Sequence, residues 1–96
     1  MTVSRIIETD WLKWMNEIHI PDVIKTGYFF KWEIEKQLLP EDSLTETTYI
    51  INYFAKSLAD FQQYSENDAP RLRNDHNEKF KGKFKASRIV TSVLSK

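Results

Sequence analysis

The chain has 96 residues, 41% of them hydrophobic and 29% charged, with fourteen Lys and Arg balancing fourteen Asp and Glu. That is enough for a single domain spanning residues 1–96, and the composition excludes both a disordered tail and a collagen-like chain. Cysteine is absent, which removes a disulfide framework, a thiolate metal site and a cysteine nucleophile from consideration. No uncharged run approaches the ~18 apolar residues of a membrane span. The segment Met1–Arg5 lacks the apolar stretch of a secretory signal, so the expectation is a cytoplasmic protein without membrane contact.

Charge is unevenly spread. Residues 1–70 carry six basic and twelve acidic side chains, a net of −6, and residues 71–96 carry eight and two, a net of +6. Such asymmetry fits an anion-binding end. It equally fits acidic and basic parts that face each other within the fold or across a dimer. A nucleic-acid partner is not expected, because a free binder of that class carries net positive charge.

Ile7, Trp11, Trp14, Met15 and Ile18 recur at three- and four-residue spacing, which predicts one stripe of a helix. Ser4 is its expected N-cap, with Glu8 and Asp10 near the positive end of the helix dipole. Ahead of it, Met1–Val3 is the stub of a strand. Pro21 lacks a backbone N–H and disfavours the α conformation at Ile20, so the helix is expected to end, kinked, near His19. Pro21 then opens a short second turn, which Gly27 closes in a left-handed conformation.

Alternation follows. Tyr28, Phe30, Trp32 and Ile34 fall on one side of a strand, Lys31, Glu33 and Glu35 on the other. After a turn over Leu39–Ser43, Thr47–Phe54 reads as a second strand, rich in β-branched and aromatic residues, completing a hairpin. Ser57 and Asp60 form a capping-box-like pair, and Leu58, Phe61, Ser65, Ala69, Leu72 and His76 track one helix face. Pro70 breaks this helix as Pro21 breaks the first. Phe84–Leu94 is the expected closing strand, with Phe84, Ala86, Val90 and Leu94 on one face.

The order is therefore β-α-β-β-α-β. It predicts an α+β, ferredoxin-like domain: an antiparallel sheet with two proline-kinked helices on one face and a first strand that is short or truncated. The sheet face away from the helices carries part of the aromatic load, and a second copy is the expected cover.

Trp11-Leu12-x-Trp14-Met15, His19-Ile20-Pro21-Asp22-Val23, Thr26-Gly27-x-Phe29, Tyr64, Asp68-Ala69-Pro70-Arg71-Leu72-Arg73 and Phe80 resemble a family of short bacterial proteins carried as a domain of unknown function. The resemblance spans about Val3 to Val93. It implies a ferredoxin-like fold similar to dimeric α/β barrels and implies no activity. Members usually open on a longer strand of the type N-V-T-V-x-V-D, so this chain is expected to start inside that strand.

The chemistry-bearing residues gather at the two prolines. His19 and Asp22 flank the first, Asp68 and His76 the second; histidine titrates near neutrality and can serve as acid or base, or cap a helix. Two histidines with scattered carboxylates are thin material for a metal site, and neither metal nor cofactor is expected. Arg71 and Arg73, at the start of a helical turn, present guanidinium forks for a carboxylate or phosphate, or pair with Asp68, Asp75 or Glu66. Tyr64 lies one turn before Asp68 on the same face. The alternating Lys79–Lys85 run lacks the RNA-recognition pattern and reads as a solvated lysine stripe.

The ligand-binding candidates are thus His19, Asp22, Tyr64, Asp68, Arg71, Arg73 and His76, forming one polar cleft if the two proline sites meet. The leading expectation is a homodimer that binds a small anionic molecule. By fold analogy, a cofactor-independent enzyme of the monooxygenase or isomerase kind is an alternative. A structural interaction module is another.

Overall fold

The structure is a computed structural model and describes residues 1–95. In chain order it contains β1 (Thr2–Ser4), α1 (Glu8–Trp14), a π-helical turn (Met15–His19), α2 (Ile20–Lys25), β2 (Phe29–Lys36), β3 (Glu46–Ala55), α3 (Leu58–Asn67), α4 (Ala69–Lys79) and β4 (Phe84–Lys85). The four strands form one antiparallel sheet in the order β2-β3-β1-β4. This α+β arrangement is compatible with a ferredoxin-like fold.

The first helix does not stop at His19. Glu8 to Lys25 is helical throughout, and the expected break is replaced by the wide π turn, closed by the Ile20 N–H donating to the Met15 carbonyl. A proline ring presses on the carbonyl four residues back, and the wider turn gives Pro21 that room. The extra residue shifts the phase of the buried face. Trp11, Met15, Ile20 and Val23 are buried, at spacings of four, five and three, and Ile18, expected on the stripe, is 48% exposed. Ser4 is not the N-cap either. It ends β1, its carbonyl accepts from Ile7 N–H at 3.1 Å, and the helix starts only after Ile7. Gly27 does close α2 with φ 85°, a left-handed conformation that costs any other residue.

In β2 the simple alternation fails at its first residues. Phe29 lies opposite Ala55 and Lys31 opposite Phe54, so Phe30 is an unpaired extra residue. This bulge turns Phe29 into the core and leaves Phe30 58% exposed on the outer face. Beyond it the register is regular: Trp32 faces Tyr53, Ile34 faces Ile51 and Lys36 faces Tyr49. β3 extends the expected strand by one residue at each end.

The helices pack on the sheet face that carries Tyr49, Ile51 and Tyr53. One cluster joins Trp11, Met15 and Ile20 to Val3, Tyr49 and Phe80, and a second joins Val23 to Phe29, Tyr64, Ala69 and Leu72. Tyr53 packs against both, which ties the two helical halves to one face. Each fully buried large side chain contributes roughly 1.5–3 kcal/mol through the water it sheds.

Ser57 caps α3 as expected, its hydroxyl accepting from Asp60 N–H at 3.1 Å. The inward face is carried by Tyr64, Ala69, Leu72 and His76. Leu58, assigned to that face by spacing, is the first residue of α3 and is 61% exposed. Helix α3 ends at Asn67 and α4 begins at Ala69, with Asp68 between them at φ −121° and Pro70 in the first turn of α4.

The closing strand is much shorter than Phe84–Leu94. Only Phe84 and Lys85 pair, opposite Val3 and Thr2. A strand extends no further than its partner offers backbone groups, and β1 offers three residues. Residues 86–95 carry no regular structure and are exposed.

Candidate functional site

The two proline segments, distant in sequence, meet in the helical layer. Trp14 ends α1 and stacks on His19, ring centroids 5.1 Å apart and planes 26° from parallel. His19, on the π turn, lies 5.8 Å from His76 of α4. His76 is only 3% exposed and accepts a 2.9 Å hydrogen bond at Nε2 from the indole Nε1–H of Trp11. Phe84 packs edge-on against the His76 ring at 4.3 Å.

This setting keeps both imidazoles neutral. Burial, then the nearby His19 and the Arg88 guanidinium, lower His76 to about 4. Burial also lowers His19, opposed by the carboxylates of Asp22 and Asp75. With Nε2 accepting, His76 carries its proton on Nδ1. An imidazole so enclosed is a packing element first.

Beside the histidine pair, the end of α2 and the α3–α4 junction border one depression of about 330 Å³, lined by Asp22, Lys25, Thr26, Asp68 and Arg71. Arg71 donates from one terminal nitrogen to Asp68 Oδ1 at 3.2 Å, an exposed pair three residues apart. Thr26 donates its hydroxyl to the Val23 carbonyl at 2.6 Å, holding the last turn of α2. Lys25 forms no ion pair among the described residues.

Of the seven sequence candidates, Asp22, Asp68 and Arg71 share this depression, and His19 and His76 form the buried pair. Tyr64 belongs to the core, packed against Phe29 with ring centroids 4.8 Å apart, and burial raises its phenol. Arg73 does not line the depression; it sits near enough to Arg88 to lower that guanidinium, after burial itself. Lys25 and Thr26 were missed as lining residues, although the Thr26-Gly27 helix end marks where exposed polar groups collect. Nothing local signals the Trp11–His76 bond, whose partners are 65 residues apart.

Among the described residues no group of His, Asp and Glu is placed to hold a metal ion, and no helix is long and apolar enough to cross a membrane. Residues 1–94 match the family described as Domain of unknown function (DUF4286). The chain belongs to that family. No curated protein and no solved structure matches it. The DUF4286 match spans β1 through β4 together with both proline segments, so the histidine pair and the depression beside it lie inside the family domain.

Proposed function

We propose that this DUF4286 protein is a homodimer that binds a small anionic molecule in the depression between α2 and the α3–α4 junction. The observation that carries the reading is that Lys25 and Arg71, 46 positions apart, border one depression. Arg71 uses one terminal nitrogen on Asp68, which leaves the rest of its fork for a carboxylate or phosphate. Asp22 and Asp68 make the empty site neutral overall and select against bulky polyanions.

Dimerisation rests on the outer sheet face. Phe30 and Ile50, 58% and 44% exposed, stand there with Phe54, which packs near Phe30 at 6.4 Å and under the Lys31 ammonium. Aromatic residues framed by Lys31, Glu33 and Glu35 suit a self-complementary interface.

The test is titration of the protein with acetate and inorganic phosphate, followed by backbone amide shifts, with light scattering for assembly. The reading expects saturable shifts at Thr26, Asp68 and Arg71, lost in Arg71→Ala at unchanged melting temperature, and a dimer that Phe30→Glu dissociates. Unmoved shifts at those residues would overturn the ligand assignment, and a monomer at high micromolar concentration the assembly.

A further inference from the structure

A second concavity shares no lining residue with the α2 depression. It measures about 460 Å³ and runs between α1 with its π turn and the end of α4 with the loop that follows. Ile7, Trp14, Ile18 and Phe80 make its floor, and Lys13, Lys79, Lys81 and Lys83 stand around it. That is within the size range of small-molecule sites.

Three features set this groove apart from ordinary surface. The π turn places Ile18 here: the phase shift that puts Ile20 in the core leaves Ile18 at the groove, half exposed. Such turns cost helix regularity and are frequent at binding sites. Next, the loop after α4 is tightly built. Phe80 is buried beneath it, its carbonyl accepts from Lys83 N–H at 3.0 Å, and Gly82 at φ 77° makes the reversal. The Lys83 carbonyl accepts in turn from Ser4 N–H at 2.9 Å, tying the loop to β1. Two lysines are thereby held beside the apolar floor. Finally, none of the four lysines forms an ion pair among the described residues. Asp10 and Glu17 also border the groove, both from the helix side, so a net of two positive charges remains, concentrated on the loop.

We infer that this groove binds a small amphipathic carboxylate, its aliphatic or aryl body on Ile7, Trp14, Ile18 and Phe80 and its carboxylate among Lys79, Lys81 and Lys83. The charge distribution selects that occupant. A neutral apolar ligand leaves the lysines unanswered, and an extended anionic surface meets Asp10 and Glu17 as well as the lysines. The assignment reinterprets the lysine-aromatic run 79–85: its lysines answer a ligand as well as solvent. It does not depend on the α2 depression.

Octanoate and its uncharged counterpart 1-octanol are the probes, with backbone and indole N–H shifts as the readout. Octanoate is expected to shift Ile18, Lys81 and the Trp14 indole saturably. Combining Lys81→Glu with Lys83→Glu weakens it roughly ten-fold or more, as two charge reversals near a carboxylate should. Ile18→Asn, at a half-exposed position, weakens octanoate too, and added salt acts in the same direction as the charge reversals. Arg71→Ala leaves the octanoate affinity read at Ile18 and the Trp14 indole unchanged, which separates this site from the first. The inference is overturned if octanol binds as tightly as octanoate, if the double reversal has no effect, or if Ile18, Lys81 and the Trp14 indole do not shift.

Discussion

The Trp11 indole N–H donates to His76 Nε2 at 2.9 Å inside the protein, joining the first helix to the last across 65 residues. Both side chains are buried, and the indole also packs on Tyr49 with ring centroids 5.0 Å apart. One contact thus links α1, α4 and the central strand β3. A buried donor and a buried acceptor satisfy each other, and removing either leaves the other unpaired.

Trp11→Phe is therefore expected to cost about 2–3 kcal/mol, combining the lost volume with an orphaned imidazole nitrogen. Urea unfolding measures it, and a loss under about 0.5 kcal/mol would show that the bond and its packing are dispensable. The same variant should raise the His76 pKa, because the bond favours the neutral ring.

Acid should destabilise the protein through the histidines. His76 titrates at about 4 in the folded chain against 6.5 ordinarily. Between those values the unfolded chain binds more protons, so stability is fully present above about pH 6.5 and falls as the pH drops towards 4. His19, also lowered, acts in the same direction. The His76 contribution is at most about 3 kcal/mol. His76→Gln, whose amide oxygen can still accept from Trp11, should flatten the slope in that window. An equally steep decline in the variant would assign it to other groups.

Tyr53 places its hydroxyl in the core with no hydrogen-bond partner among the described residues, and burial drives its phenol well above the usual range. Tyr53→Phe removes a desolvated polar atom and keeps the ring. The expected change is neutral to about 1 kcal/mol stabilising. A clear loss in melting temperature would reveal that the hydroxyl has a partner after all.

Gly27→Ala isolates backbone strain. A Cβ at this position meets nothing within 4 Å, yet φ is +85°. The substitution should cost about 1–2 kcal/mol from conformation alone. An unchanged midpoint would mean that α2 ends equally well in another geometry.

Ser57→Ala tests the N-cap of α3 that the sequence located. Losing the acceptor for the Asp60 N–H should cost about 1 kcal/mol, and Ser57→Asp should preserve most of the stability. Equal thermal midpoints for all three proteins would remove Ser57 from the account.

What the sequence determined by itself is the part governed by neighbours along the chain. Helical spacing through Trp11 and Met15, the hairpin of β2 and β3, the Ser57 cap and the Gly27 turn each depend on a few consecutive residues. The two proline segments read as places where polar groups gather, and Asp22, Asp68 and Arg71 from those segments line one depression. Tertiary structure decided the rest. The π turn moves every buried position after Met15 by one residue, because Pro21 and the core must both be accommodated. The bulge at Phe30 sends Phe29 inward for the sake of packing on Tyr64 and Val23. β4 stops at Lys85, opposite Thr2 at the first residue of β1, however strand-like Ile89 to Leu94 read. His76 acquires its acceptor role from a tryptophan 65 residues away. Each of these outcomes turns on a partner remote in sequence, and local periodicity carries no information about such partners.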